Sequence, residues 1–232
     1  MNGQLWHSLR HEVSGKPPLE FPIKLRQLTH IDQISASHWD ALLPNGYPFL
    51  RHGFLAALER SGSVSMQAGW APAHLVVENP DGTLQALLPL YQKMHSYGEY
   101  VFDWQWAEAW ERAGQHYYPK LLAAVPFSPV QGPRLLGRCE ASQQIILQAL
   151  EETLQRGSVS GVNLLFNDDQ DNHLLEQAGW MQRLGCQFHW FNREYQSFDG
   201  FLAACSSRKR KNFRKERQSV EAQGIHFEWH QG

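Results

Sequence analysis

WAPAHLVVENPDGTLQALLPLY, residues 70–91, sets two apolar runs on either side of Asn79-Pro80-Asp81-Gly82. Proline fixes φ near a turn value, aspartate bonds its own backbone, and glycine accepts a positive φ, so this tetrapeptide predicts a tight turn. The flanking runs predict strands over 70–78 and 83–91, and the whole reads as a hairpin.

Working toward the N-terminus, residues 20–28 (EFPIKLRQL) alternate as a strand, and 31–37 make a turn into a short helical piece over 38–43. Pro44-Asn45-Gly46 ends that piece. Residues 48–60 then place Phe49, Phe54, Leu55 and Leu58 near one helical stripe. Residues 1–19 read as a tail with no apolar signal core.

Toward the C-terminus, the pattern predicts a strand over 100–104 and a helix over 105–113, and then a proline-punctuated stretch. A strand over 131–136 and an amphipathic helix over 140–156 follow. Beyond them come an apolar strand over 162–166 suited to the middle of a sheet, a helix over 172–178, a strand over 181–191, a mainly helical 197–223 and the start of a strand at 225–229. The succession predicts an α/β (α+β) fold: a mixed, twisted sheet with helices on both faces.

Charge and aromatic content are uneven. The formal net charge is −2, yet residues 208–217 (RKRKNFRKER) hold seven of the 21 Lys and Arg and one of the 23 Asp and Glu. One basic segment on an acidic body points to an anionic partner there, and argues against a broad nucleic-acid face. Eight aromatic residues fall within Tyr97–Tyr118, a density that belongs to a core or a ligand groove. Three scattered cysteines without a CxxC pair suggest a reducing, cytoplasmic setting and no zinc or disulfide framework. No run reaches the 18 or so apolar residues of a membrane helix. Nucleophile-elbow, P-loop and dinucleotide fingerprints are absent, and the His7/His11 and His226/His230 pairs have no third metal ligand nearby.

Three stretches carry a family resemblance: FDWQWAEAWERAG (102–114), HYYPKLLAAVPFSPVQGPRLL (116–136) and SSRKRKNFRKERQSVEAQG (206–224). Together with the hairpin end LLPLYQK they resemble the FemAB-like branch of the GNAT N-acyltransferase superfamily. The resemblance implies a GNAT-like lobe over 20–196. It also implies a basic junction helix opening a second, incomplete lobe over 197–232, as in the first part of a two-lobe protein. Its implied activity is transfer of an acyl or aminoacyl group, from acyl-CoA or aminoacyl-tRNA, onto a small-molecule or nucleotide-linked amine. Contact with tRNA and self-association both fit that reading.

Candidate site residues fall in three places. Asp103 either caps the following helix or serves as a groove carboxylate that positions an amine, with Trp104, Trp106, Tyr117 and Tyr118 as walls. His116 is a candidate for proton transfer beside two tyrosines. Gln131, Gly132 and Arg134 lie where the resemblance places the splayed strand that receives the acyl carrier. The nearest string to a CoA-pyrophosphate loop, residues 134–139, ends in Cys139 rather than Gly or Ala, which argues against acetyl-CoA. On the basic helix, helical spacing puts Lys209, Asn212, Phe213, Glu216 and Val220 on one face, so Lys209 and Asn212 are expected to turn inward toward a ligand. Arg210 and Arg214, four apart on the opposite face, form either part of a solvated face or a phosphate grip. Cys205, just before the basic run, reads as a core cysteine on the stripe of Phe201 and Leu202, with a low-pKa thiolate as the alternative. Two other functional classes stay open: a non-catalytic module that holds a polyanion or nucleic acid on the basic helix, and a degenerate lobe used for packing.

Overall fold

The computed structural model describes residues 23–230. The chain divides into two compact units, the first ending at Gln182 and the second beginning at Arg183.

The first unit is built on the hairpin. Its outer half pairs β3 (His74–Glu78) with β4 (Leu84–Leu88), and its inner half pairs β2 (Trp70–Pro72) with β5 (Tyr91–Lys93). At the tip Gly82 sits at φ +83°, and the Thr83 N–H donates to the Asp81 carboxylate at 2.8 Å. That bond holds the Asp81 carboxyl below the usual range. β1 (Lys24–Leu28) and β7 (Leu136–Gly137) flank the outer half, giving the order β1-β3-β4-β7. β6 (Lys120–Ala123) and β8 (Val162–Leu164) extend the inner half, giving β2-β5-β6-β8. β6 and β8 run parallel and every other pair is antiparallel, so the sheet structure is mixed.

The two sheets are two halves of one hairpin, divided at His74. The Leu90 N–H donates to Nδ1 of the fully buried His74 ring at 3.1 Å. Nε2 therefore carries the ring hydrogen, and it donates to Glu59 Oε1 at 3.1 Å. A side chain thus takes a backbone donor at the point where the ladder changes sheets.

Period-two alternation sends the hairpin side chains to two cores. Leu75, Val77, Ala86 and Leu88 meet Ile146, Leu147 and Leu150 of α4 (Glu140–Gln155) and Leu174 and Leu175 of α5 (Asp169–Gln177). Val76, Leu84 and Leu87 meet Trp39 of α1 (Ala36–Asp40) and Leu55 and Ala56 of α2 (His52–Arg60). Helices cover both faces, as the succession of elements predicted. A third, smaller core of Val64, Trp70, Tyr91, Leu122 and Ala124 lies on the inner sheet. α3 (Trp104–Arg112) follows the loop that leaves β5, and none of its residues is buried.

The second unit holds α6 (Phe198–Ala204), capped by the Ser197 hydroxyl, and α7 (Ser207–Glu221), capped by Ser206. Phe201 and Phe213 face each other with ring centroids 5.8 Å apart.

Several expected elements differ. Residues 100–104 form no strand. Tyr100 has φ +59°, which breaks an extended run, and the segment instead curls over the inner sheet. The strand over 131–136 shrinks to β7 and a single parallel bridge from Gly132 to Asn167, because Pro133 offers no ladder donor. β8 lies at the edge of its sheet rather than in the middle, and its three residues are half-buried. Residues 181–191 and 225–229 have strand-like sequences and no strand partner among the described residues, so Phe188 and Trp229 are almost fully exposed. Cys205 is half-buried and ends α6.

Candidate active site

The register of the inner sheet places Trp70 opposite Lys93 and Lys93 opposite Lys120. Directly paired residues on neighbouring strands point to the same face, so two lysines and a tryptophan stand in a row across three strands. Both lysine side chains are essentially inaccessible to solvent. Two like charges side by side in a dry place need counter-charges. The aromatic loop between β5 and α3 supplies them. Lys120 Nζ donates to Asp103 Oδ2 at 2.6 Å, Glu99 Oε2 at 2.8 Å and Ser96 Oγ at 2.9 Å, which uses all three ammonium hydrogens. Lys93 Nζ sits 3.6 Å above the Trp70 ring, donates to the Tyr97 carbonyl at 3.2 Å, and lies 3.9 Å from Glu99 Oε1.

The loop can reach inward because Gly98 and Tyr100 both take positive φ. A Cβ on Gly98 would lie 2.7 Å from the Phe127 ring, so this close approach requires glycine. Asp103 stands at the N-cap of α3 without a side-chain cap bond, because its carboxylate is turned to Lys120 and to the Tyr117 hydroxyl at 2.8 Å. Of the two readings of Asp103, capping is thereby overturned. Tyr118 Oη and Ser96 Oγ are 2.8 Å apart, and Tyr118 is half-buried.

Burial sets the electrostatics. It pushes the Lys93 ammonium down to about 7, against a partial pull upward from Glu99. Burial raises the Glu99 carboxyl above its ordinary range, with Lys120 opposing. For Asp103 burial also acts upward, but hydrogen bonds from Lys120, Ser96 and Tyr117 outweigh it and hold the carboxyl low. Burial raises the hydroxyls of Tyr117 and Tyr118. Glu99 Oε1 and Asp103 Oδ1 are buried without a hydrogen-bond partner. Above the cluster Tyr97 and Trp104 pack at 5.2 Å, with Tyr97, Tyr100, Phe102, Trp104 and Phe127 all exposed.

The structure therefore joins Asp103, Tyr117 and Tyr118 and sets Trp104 beside them. It adds Lys93, Ser96, Glu99 and Lys120, which the sequence did not single out. For the two lysines the signal was a single lysine at one end of each of two short strands, meaningful only once the register pairs them. His116 is exposed, just before Tyr117.

The second group lies elsewhere on the first unit. Arg134 is fully buried, and its guanidinium donates to the carbonyls of Val130, Gly132, Pro133 and Leu165 and to the Tyr47 hydroxyl. Its backbone N–H and that of Leu135 donate to Asp171. Asp171 is pushed up to about 6 by burial, despite these donors. With its donors satisfied internally, Arg134 locks the loop around Gly132. Gln131 is exposed and reaches the Asn167 carbonyl, while a Cβ on Gly132 would meet the Tyr47 ring at 2.5 Å. The string thought to resemble a CoA loop is also occupied: Gly137 pairs with Ala86, and the Arg138 N–H donates to Gln85.

On α7 the expected face is corrected. Lys209 and Asn212 are exposed, and the half-buried positions are Arg210, Phe213 and Val220. The reason lies in α6. Its aromatic rings take Phe213, and the Arg210 guanidinium donates to the carbonyls of Leu202, Ala203 and Cys205 at its end. Arg214 lies 3.9 Å from Asp199, and Arg217 stacks 4.3 Å over Phe198. Arg210, Lys211, Arg214 and Lys215, with Ser207 and Gln218, line a concavity of about 470 Å³. Among the described residues no His/Cys/Asp/Glu group is arranged to hold a metal, and no helix is long and apolar enough to cross a membrane.

No curated protein matches the chain. Among solved structures, an aminoglycoside N-acetyltransferase in complex with CoA is similar at a TM-score of 0.42 and 13% identity, over 74% of this chain and 95% of its own. An acetyltransferase of Trypanosoma brucei gives 0.39 and 14%, over 73% and 99%. An aminoglycoside 6'-N-acetyltransferase of Acinetobacter baumannii gives 0.39 and 13%, over 73% and 98%. A family model described as peptidoglycan biosynthesis/recognition matches residues 30–232, and the chain belongs to that FemAB-like family.

Proposed function

We propose that the protein transfers an acyl or aminoacyl group onto an amine, and that the amine docks under the aromatic loop beside Asp103. Family membership supports the reaction class. The observation that carries the acceptor's chemistry is the pair of orphaned carboxylate oxygens, Glu99 Oε1 and Asp103 Oδ1, in a buried site. A buried carboxylate oxygen without a donor costs free energy, and an ammonium brought by a ligand would relieve it. Trp104, Tyr117 and Tyr118 flank that position and suit a cation. No covalent nucleophile is required, since alignment of the amine with an activated carbonyl supplies much of the acceleration. Because the backbone amides near Gly137 already pair within the sheet, an aminoacyl ester such as aminoacyl-tRNA suits this chain better as donor than acyl-CoA.

The test is turnover by the full chain with either acetyl-CoA or a mixed aminoacyl-tRNA pool, against a panel of lysine peptides and amino sugars, read by product mass. N-acylated product is expected. Asp103→Asn, which keeps the side chain's shape, should lower kcat/KM by about 100-fold or more at a temperature where the variant is fully folded, even though losing a charge beside Lys120 lowers its melting temperature. Absence of product from every donor, or full activity in Asp103→Asn, would refute the proposal.

A second reading rests on the α7 concavity, whose exposed Lys211 and Lys215 favour a polyanion such as the donor's RNA. It complements the first reading if the donor is aminoacyl-tRNA.

A further inference from the structure

One half-buried histidine, His95, fastens the outer side of the aromatic loop. Its Nδ1 accepts the Tyr97 N–H at 3.2 Å, and its Nε2 lies 3.1 Å from the Ala68 carbonyl. A backbone N–H only donates and a carbonyl only accepts, so both contacts require the same form of the ring: neutral, with its hydrogen on Nε2. The seat is built for that ring. Gly69 takes φ +72°, and a Cβ at that position would run into the imidazole. The Tyr97 peptide is gripped from both sides, its N–H by His95 and its carbonyl by Trp70 Nε1 and Lys93 Nζ, each at 3.2 Å. The Tyr97 ring in turn packs on His95 and on Trp104, with centroids 5.2 Å apart in both pairs.

We propose that His95 is a positioning residue, a latch that holds the Tyr97 end of the loop over the candidate site while its ring is neutral and releases it when the ring is protonated. Protonation puts a hydrogen on Nδ1, so two donors, Nδ1–H and the Tyr97 N–H, face each other where a hydrogen bond stood. The Tyr97 peptide must move, and its carbonyl leaves Lys93 and Trp70. The latch itself is independent of the reaction catalysed. Its effect on turnover rests on the amine-acylation reading, because Trp104, packed on Tyr97, flanks the acceptor position.

The surroundings oppose a charged ring. The titratable and charged groups that face His95 are Lys93 of β5, Lys120 of β6 and Tyr97 of its own loop, and the turn at 68–69 brings the Ala68 carbonyl. Burial first, and then Lys93, holds the ring below its ordinary value near 6.5, with the Ala68 carbonyl pulling the other way. A ring with a lower pKa when latched than when free favours the latched loop above about 6.5, and that preference is lost as pH falls below this value.

The first test needs no substrate. Two-bond 1H–15N spectra of the full chain should show His95 as the neutral Nε2–H form at pH 7.5. Exchange of the Tyr97 amide, corrected for its intrinsic rate, should show about 5-fold less protection at pH 5.5 than at pH 7.5. Two variants separate the latch from other titrations. His95→Asn sets an acceptor oxygen close to where Nδ1 stood and does not titrate in this range, so its Tyr97 protection should be equal at both pH values. His95→Gln reaches toward Ala68 without that acceptor, and Tyr97 should be about 5-fold less protected at both. Equal wild-type protection at the two pH values, an Nδ1–H ring at pH 7.5, or an acid loss kept in full by His95→Asn overturns the latch. With a donor that gives product and a lysine peptide, His95→Gln should raise the acceptor KM about 5-fold at pH 7.5, and His95→Asn should restore the wild-type value. An unchanged KM in His95→Gln overturns the positioning role. Absence of product from every donor refutes the acylation reading, and the exchange measurement still decides the latch.

Discussion

Lys120→Met is the most informative single perturbation of this fold. Lys120 Nζ makes three hydrogen bonds, and the substitution takes the hydrogen-bonded cation away from two buried carboxylates. They do not lose equally. Asp103 keeps the Tyr117 hydroxyl, whereas Glu99 keeps only Lys93 at 3.9 Å. Removing one partner of a buried ion pair costs about 3–5 kcal/mol, because the remaining charge is left without compensation. For a chain of this length each kcal/mol moves the melting temperature by about 2–4 °C, so a fall of roughly 6–20 °C is expected.

The pH dependence separates this account from a simple loss of packing. Without Lys120, burial leaves the Glu99 carboxyl raised with less to oppose it. A group whose folded pKa lies above its unfolded value contributes stability at low pH, and that contribution is lost as pH rises through the folded value. Urea unfolding at pH 5 should therefore recover much of what Lys120→Met loses at pH 7.5, with a slope of about 1.4 kcal/mol per pH unit for each proton taken up. Adding Glu99→Gln should recover part of the loss at pH 7.5 as well. A loss under about 1 kcal/mol, or one equal at both pH values, would show that Lys120 and the carboxylates are not coupled as their distances imply.

Further outcomes follow from the same physics. Asp171, raised to about 6, favours folding below its unfolded pKa near 3.8, and that contribution disappears as pH climbs through about 6; Asp171→Asn should flatten melting temperature against pH across that window. On α7, Arg210→Ala should weaken the second unit by about 1–2 kcal/mol through loss of its hydrogen bonds to the carbonyls at the end of α6 and barely change polyanion binding. Lys211→Ala and Lys215→Ala should each leave the melting point unchanged and lower the salt slope of RNA binding by about 1, as measured by filter binding or fluorescence anisotropy.

Local chemistry determined much of this protein in the sequence itself. Asn79-Pro80-Asp81-Gly82 fixed the hairpin turn through φ preferences that need no distant partner. The succession of strands and helices called for helices on both faces, and 140–156 marked one by its periodicity. The density of aromatic residues over 97–118 marked the loop above the site.

What tertiary structure alone decided depends on pairing across long separations. Lys93 and Lys120 are 27 positions apart, and only the β2-β5-β6 register sets them side by side. Once they are adjacent, electrostatics dictates that Glu99 and Asp103 turn inward, which takes Asp103 away from the cap role its position suggested. Arg134 looked like a ligand contact until the Gly132 loop folded its carbonyls around the guanidinium. Arg210 looked solvent-facing on helical spacing alone, but the end of α6 offered it three carbonyls. Propensity is a property of neighbours in sequence; a buried charge finds its partner through register and packing, which a single sequence does not contain.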